Sequence, residues 1–380
     1  MLTYSVQHTT PLTTQSLFVI ITGAVNAGKS FQLLSILEAE VEGRPVATPT
    51  LFLVAESSSE GTIGAILNDP SRACVWPVKD CADADAAIGL CFPRSGPVTL
   101  GAAKSLWYDR ACKVAAEDKV DPPAKPTPSP QDHMQLRSVV VDTLTSTYRG
   151  SIDTAKRLYA EAAAKKNKGV PVVTINKKED PGQNDMNLHA YAARVCGNLI
   201  DRLNAVCAHR GSMVFVTVHT CPAHTITQAG PQEPAVKTAI GETPNLGSAA
   251  TVKPGLTVPS FSNTWNQLAA KANVVVHSFA AVADYSAVAL DDINAPTTPG
   301  TVYGLITERS AHYPKLGPVL WVKRQDGAGP WGYLAAMPRY WHPSAKCDPL
   351  ITQEVSATPS IGAMLAYSIR QYRATLTAST

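Results

Sequence analysis

Residues 16–30 of the chain read SLFVIITGAVNAGKS, and this stretch decides the fold prediction. Its apolar run at 17–21 is typical of a parallel strand that is buried on both faces. The pattern G-x-x-x-x-G-K-[ST] follows directly, and loops of this pattern bind phosphates through backbone amides and the lysine. A strand before the loop and a helical pattern after it make the match specific. The residues predicted to form the phosphate site are Gly23, Ala24, Val25, Asn26, Ala27, Gly28, Lys29, Ser30 and Phe31.

After this loop, apolar strand patterns alternate with helical patterns along the sequence. Residues 29–43 have helical apolar spacing, and residues 50–57, 136–146 and 212–220 are three further apolar strand patterns. Short apolar runs that alternate with helices indicate a parallel sheet covered by helices. The sequence therefore predicts an α/β protein with a mostly parallel central sheet. It also predicts a late strand pair, long loops and a C-terminal extension.

Composition narrows the class of protein. Hydrophobic residues make up 45% and charged residues 17% of the 380 residues, which is typical of a globular core. The net charge of +3 means that nucleic-acid binding would need a local basic patch. The chain has no apolar run of about 20 residues and no signal-peptide pattern at its N-terminus. We expect a cytoplasmic protein (in the host cytoplasm if viral) with no membrane contact and with free cysteine thiols.

Three polar residues follow the later strands. Asp142 ends SVVVD, where a carboxylate can complete the magnesium site that Ser30 begins. Glu56 follows LFLVA and is the candidate to orient an attacking water, with Glu60 as a weaker alternative. His219 ends MVFVTVH and could contact a γ-phosphate. Each could instead be an ordinary residue at the end of a strand.

Together these residues resemble the RecA-like branch of P-loop ATPases. In that family a glutamate, an aspartate and a polar sensor end successive core strands, and Glu56, Asp142 and His219 follow the same order. Within that branch, the chain resembles the phage RecA-like ATPases that are associated with recombination and single-strand annealing. The resemblance covers about residues 15–220, and a weaker resemblance continues to about residue 335. It implies ATP and Mg²⁺ as ligands and ATP hydrolysis as the activity.

The resemblance also implies partners. In RecA-like proteins, loops after two of these strands hold DNA. The corresponding segments here are the basic segment 147–187, which contains a helix with a basic end, and the Gly/Pro-rich segment 221–260. Lysines on such segments suit phosphate contacts without base readout. In VLWVKRQDGAGPW, Lys323 or Arg324 is the candidate finger that reaches a neighbouring subunit's nucleotide, and Arg309 competes with them. We therefore expect a ring or filament of identical subunits on single-stranded nucleic acid, with DNA favoured.

The predicted organisation has an N-terminal arm at 1–15, a RecA-like domain at 16–345 with insertions at 58–133 and 221–260, and a tail with a helix at 346–380. The predicted function is a Mg·ATP-dependent ATPase in phage-type DNA recombination or annealing. One alternative is a viral packaging or translocating hexameric motor or helicase. Another is a nucleotide or metabolite kinase, although the absence of arginine from 221–260 argues against an arginine-bearing lid. A third is an assembly protein that uses ATP only for stability.

Overall fold

The structure is a computed structural model that describes twelve ranges of the chain. These are residues 16–25, 27–41, 43–56, 71–166, 186–209, 211–227, 236–246, 263–283, 300–310, 319–324, 334–336 and 361–362. The predicted N-terminal arm and nearly all of the predicted C-terminal tail lie outside them, so the domain boundaries stay predictions. Asn26 and Glu60 also lie outside the described residues.

The described part of the chain contains helices interspersed with strands. The strands are β1 (Leu17–Gly23), β2 (Glu40–Val41), β3 (Arg44–Pro45), β4 (Thr50–Val54), β5 (Ala73–Pro77), β6 (Ser138–Asp142), β7 (Met213–Thr227), β8 (Val236–Pro244), β9 (Val274–Ala283), β10 (Gly300–Ser310), β11 (Val319–Arg324) and β12 (Leu334–Ala336). The helices are α1 (Lys29–Glu38), α2 (Cys81–Cys91), α3 (Leu100–Asp118), α4 (Leu144–Lys166), α5 (Met186–Val206) and α6 (Asn263–Lys271).

Six parallel strands form the centre of the main sheet, in the order β5-β4-β6-β7-β1-β9. Strands β10, β11 and β12 extend it beyond β9 as antiparallel neighbours, as expected for the late strand pair. The parallel register joins Gly23 to His219 and Val54 to Asp142. The α/β prediction is therefore confirmed, and the polar strand ends lie along one edge of the sheet.

Both faces of the central strands are buried. All seven residues of β1 are buried, and successive side chains point to opposite faces. Phe18 and Ile20 pack into a cluster with residues of α2 and α5, whereas Val19 and Ile21 pack with α1. Burial on both faces explains why this strand is apolar at every position from 17 to 21 rather than at alternate positions. Each large aliphatic side chain buried in this way contributes about 2 kcal/mol.

The predicted first helix is longer than the observed one. Helix α1 ends at Glu38 rather than Gly43, because Ala39 adopts an extended conformation. The chain then forms the small antiparallel pair β2–β3. Val41 is 2% exposed and packs in the same apolar cluster as α1, so tertiary packing outweighs the helical spacing of residues 39–43.

In the two segments that we predicted as nucleic-acid loops, 147–187 and 221–260, the described residues are mostly helix or strand. In 147–187, helix α4 extends through Lys166, which confirms the helix with a basic end that was predicted in this segment, and α5 begins at Met186; residues 167–185 lie outside the description. In 221–260, β7 continues to Thr227 and pairs antiparallel with β8. The hairpin pairing of β7 with β8 stabilises this extended conformation, and composition alone does not reveal it.

The segment 58–133, predicted as an insertion, contributes to the sheet and to its cover. Strand β5 pairs in parallel with β4 at the sheet edge, and Trp76 of β5 is 1% exposed. Helix α2 adds Ile88 and Cys91 to the apolar cluster on one face. These residues therefore help to build the core.

No helix among the described residues is both long and apolar enough to cross a membrane.

Candidate active site

The loop between β1 and α1 presents the start of a helix to an open space. Gly28 precedes α1 with φ 78° and ψ 16°, a left-handed conformation that glycine adopts without strain. A Cβ at Gly28 would have no described atom within 4 Å, and no side chain caps the first amides of α1. Uncapped amides and the positive end of the helix dipole together attract anions. This local geometry suits phosphate.

Gly23 is required for a different reason, the close approach of two strands. It has φ 158°, and a Cβ there would collide with the backbone carbonyl of Ser278 in β9. The Ser278 hydroxyl in turn donates to the Ala27 carbonyl. The loop is therefore attached to β9 as well as to β1.

Lys29 is a buried cation at the first position of α1. It is 4% exposed, and its Nζ donates to the Ala24 carbonyl within the loop. Lysine is almost never buried without partners. Its charge also acts favourably on the carboxylate of Asp142. The loop thus places a positive charge beside the helix start.

Asp142 and Ser30 meet at the end of β6. The Ser30 hydroxyl donates to Asp142 Oδ2 at 2.9 Å, and the Thr217 hydroxyl donates to Oδ1 at 2.8 Å. Asp142 is 0% exposed. Burial is the largest influence and raises the pKa of Asp142, with Glu56 adding a smaller upward effect. The hydrogen bonds from Thr217 and Ser30 and the charge of Lys29 oppose this rise.

Glu56 and His219 form a second polar centre. Glu56 follows β4 and His219 lies in β7, and these are the two strands on either side of β6, which Asp142 ends. His219 Nε2 lies 2.8 Å from Glu56 Oε1, and the same oxygen accepts hydrogen bonds from the hydroxyls of Thr143 at 3.2 Å and Ser146. The His219 hydrogen bond is the main cause that lowers the pKa of Glu56 to about 2, against the opposing effect of burial. Glu56 is therefore ionised at neutral pH.

His219 connects this centre to the strands beyond it. Its backbone amide donates to Thr145 Oγ1 at 2.9 Å, and its carbonyl accepts from the Asn245 amide at 2.7 Å. Its ring nitrogen Nδ1 is buried and has no hydrogen-bond partner among the described residues. The β7–β8 hairpin begins at Thr220, directly after this residue. A shift of His219 would thus act on the base of the hairpin.

The structure brings together the residues predicted at the strand ends. Seven of the predicted loop residues lie between β1 and the first turn of α1, namely Gly23, Ala24, Val25, Ala27, Gly28, Lys29 and Ser30. Phe31 lies in α1, but its side chain is outside the description. Asp142 contacts Ser30, and Glu56 contacts His219.

The predicted finger residues lie elsewhere in the same sheet. Lys323 and Arg324 end β11, three strands from β1, which corresponds to roughly 14 Å across the sheet. Arg309 lies near the end of β10, opposite Val275 of β9. The side chains of all three are outside the description. Strand β11 runs in the direction of β1, so Arg324 is at the same edge of the sheet as the phosphate loop.

Sequence reasoning missed the hydroxyl residues that contact the two carboxylates or the backbone amide of His219. Thr143, Thr145 and Ser146 follow Asp142 in the run DTLTS, and Thr217 lies two residues before His219. The run of hydroxyl residues after a strand-end acid was an available signal. Residues two apart in a strand share a face, so Thr217 could have been grouped with His219.

Mg²⁺ and a nucleotide are compatible with this donor set. Among the described residues, no group of three or more His, Cys, Asp or Glu side chains could hold a metal ion by itself. Mg²⁺ bound with a nucleotide needs only one or two protein oxygens, because phosphates and waters supply the others. The hydroxyl of Ser30 and the carboxylate of Asp142 meet that requirement beside the uncapped amides of α1.

A scan against protein-family models found no match to this chain, and a search of curated proteins found none either.

Proposed function

We propose that the chain is a Mg·ATP-dependent RecA-like ATPase that acts on single-stranded nucleic acid in phage-type DNA recombination or annealing. One observation carries the proposal. The Ser30–Asp142 contact and the Glu56–His219 contact lie beside a phosphate-type loop, at the ends of adjacent parallel strands. A simple phosphate-binding protein would need the loop but not the two differently tuned carboxylates.

In this proposal the loop and α1 bind the nucleotide. The amides at the start of α1 and Lys29 contact the phosphates, while Ser30 and Asp142 hold the metal ion. Mg²⁺ supplies charge neutralisation between phosphate oxygens. Thr217 fixes the rotation of the Asp142 carboxylate from β7. The protein therefore contributes mainly positioning, which is the principal requirement in phosphoryl transfer.

Glu56 orients the attacking water in this scheme. A side chain with a pKa of about 2 is a weak base at neutral pH, since an efficient general base has a pKa near the working pH. An ionised carboxylate is nevertheless a strong hydrogen-bond acceptor for water. We therefore assign Glu56 to orientation rather than to early proton removal.

His219 links the nucleotide to the nucleic-acid surface. Its ring contacts Glu56, and its backbone is the base of the β7–β8 hairpin. A γ-phosphate that attracts His219 would change both contacts at once. The hairpin and the basic segment of α4 are the proposed nucleic-acid contacts, in a ring or filament. Lys323 or Arg324, with Arg309 as the competitor, would act on a neighbouring subunit's nucleotide.

The basic residues of α4 are available for phosphate contacts. Lys156 pairs with Asp153 at 3.3 Å and Arg157 with Glu161 at 4.0 Å, on an exposed surface. Exposed pairs of this kind contribute about 0–1 kcal/mol, so a nucleic-acid phosphate can replace the acidic partner at little cost. Binding should then weaken as salt concentration rises.

The test is ATP hydrolysis by the full chain with single-stranded DNA, single-stranded RNA, duplex DNA or no nucleic acid. We expect strong stimulation by single-stranded DNA, and we expect Lys29→Ala to abolish it. Lys113→Ala, a change at an exposed lysine of α3, is the matched control and should hydrolyse ATP like the wild type. Electron microscopy of the same samples would report a ring, a filament or a monomer.

Three outcomes would contradict parts of this proposal. Equal turnover with and without nucleic acid would remove the nucleic-acid function. Stimulation by duplex DNA alone would favour the packaging or translocating motor. Unchanged turnover in Lys29→Ala would remove the assignment of the phosphate loop itself.

A further inference from the structure

The proline-rich segment at residues 120–131, VDPPAKPTPSPQ, has a regular pattern of exposure. Pro123, Pro126 and Ser129 are half-buried, whereas every other residue from 120 to 130 is exposed. A period of three is the repeat of the polyproline II helix, which has three residues per turn. One edge of this segment therefore faces the protein and two edges face solvent.

Hydrogen bonding agrees with this conformation. Residues 121–128 form no hydrogen bond with any other described residue. A polyproline II helix has no internal hydrogen bonds, and its backbone carbonyls are free to accept from a partner. Five prolines in the segment restrict its backbone before any partner binds. At ~3.1 Å per residue, the eight residues span roughly 25 Å.

Both ends of the segment are attached to α3. At the start, Lys119 is left-handed with φ 56°, and the Val120 amide donates to the Ala115 carbonyl at 2.9 Å. At the other end, Asp132 accepts from the Ser129 amide at 2.9 Å and from the buried Lys104 at 2.7 Å. The segment is thus held between two fixed points on one helix.

The Asp132 end also caps α3. The Gly101 amide, in the first turn of α3, donates to the Asp132 carbonyl at 3.0 Å. Lys104 is 7% exposed, so its pairing with Asp132 is shielded from solvent. These contacts of Asp132 fix the end of the segment on α3, so the segment is an ordered part of the protein.

The outward edge presents a specific set of side chains. Pro122, Lys125 and Pro128 are spaced by three residues, so they share one exposed edge. Lys125 forms no ion pair with the described residues. Two exposed prolines that flank an unpaired cation are the features that a groove lined by aromatic side chains and one carboxylate would recognise.

We propose that residues 120–130 are a docking segment for a partner protein with such an aromatic-lined, acid-bearing groove. Preorganisation supports this, because a segment that is already extended and anchored loses little conformational freedom on binding. The rings of Pro122 and Pro128 occupy aromatic slots, and Lys125 pairs with the acidic side chain between them. This role is independent of the nucleotide site.

The experiment measures binding of the full chain to a panel of purified SH3, WW and EVH1 domains that carry an acidic residue beside their aromatic groove. We expect at least one domain to bind the wild-type chain. We expect the outer-edge double variant Pro122→Ala/Pro128→Ala to weaken that binding by about tenfold or more, or about 1.4 kcal/mol. Lys125→Gln should weaken it as well and make it less sensitive to salt, because the attraction that salt screens is lost.

The matched control is Pro123→Ala/Pro126→Ala, which removes the same number of prolines from the edge that faces the protein. It should lose clearly less affinity than the outer-edge variant, although the loss of two prolines should lower the thermal midpoint of both variants slightly. Absence of binding to every domain of the panel would overturn the proposal. An equal loss of affinity in the two double variants would overturn it too, because binding would then not depend on the exposed edge.

Discussion

Asp142 and Glu56 are two carboxylates at the same edge of the sheet, yet their surroundings shift their pKa values in opposite directions. Asp142 is 0% exposed and accepts from two hydroxyls, and its pKa is raised. The side chain of Glu56 is 23% exposed, and its Oε1 accepts from His219 and two hydroxyls, which lowers its pKa to about 2. The number of hydrogen bonds therefore does not decide the direction by itself; burial does so at Asp142, and His219 does so at Glu56.

Under the proposed function, this difference suits the two acids to different roles. A buried carboxylate with a raised pKa gains from a cation that compensates its charge, which suits a metal position. An accessible carboxylate that stays ionised suits contact with water. Neighbouring acids whose pKa values are pushed apart are a recurring sign of divided labour in active sites.

Asp142→Asn should have the largest effect of the three substitutions. It should change activity and stability in opposite directions. The raised pKa means that the Asp142 charge destabilises the folded state progressively as pH rises above its usual 3.8. Asparagine carries no charge, so we expect a higher thermal midpoint than the wild type at pH 7. ATP turnover should fall by roughly a hundredfold or more, since the metal position is lost. Calorimetry and a hydrolysis assay check both parts; a lower thermal midpoint would contradict the burial argument.

Glu56→Gln should change stability in the other direction. The lowered pKa contributes stability that is fully present above pH 4.5 and is lost as pH falls towards about 2. We therefore expect a lower thermal midpoint than the wild type at pH 7 and convergence of the two proteins as pH falls from 4.5 to 2. Turnover should fall by roughly tenfold to a hundredfold while nucleotide binding is retained. A stability difference that is constant over this pH range would show that the carboxylate charge is not responsible.

Ser146→Ala should produce the smallest change, and it tests whether the hydroxyl donors lower the pKa of Glu56. It removes one donor to Glu56 Oε1, so we expect the pKa of Glu56 to rise and the free energy of unfolding to fall by about 1 kcal/mol at pH 7. The loss should disappear at low pH, when Glu56 is protonated. Ser105→Ala is the matched control, because its hydroxyl bonds only to a backbone carbonyl on an exposed helix surface. If Ser105→Ala showed the same pH dependence, the effect would not belong to Glu56.

Much of the candidate site could be predicted from local sequence. The run at 17–21, the glycines at 23 and 28 and Lys29–Ser30 act through the backbone of a strand, a turn and a helix start, which short segments specify strongly. Glu56 and Asp142 were predictable as residues at or just after strand ends, because parallel strands carry continuous apolar runs. His219 ends only the part of β7 that pairs in parallel with β1, since β7 itself continues to Thr227. Thr217 and Ser146 could be marked only as hydroxyl residues near those strand ends, because the sequence does not show which carboxylate each of them contacts.

Local apolar runs and turn residues were enough to predict the α/β class and the residues at which the parallel pairing of the strands ends. Which of those residues contact one another depends on the order of the strands in the sheet. The order β4-β6-β7-β1 brings Thr217 to Asp142 and His219 to Glu56 across separations of 75 and 163 residues along the chain. The tertiary structure also decided that β7 continues into a hairpin with β8, and that Asp142 is enclosed while Glu56 is partly exposed. Strand pairing and burial are long-range properties, so their effects on each carboxylate have no signature in the residues around it.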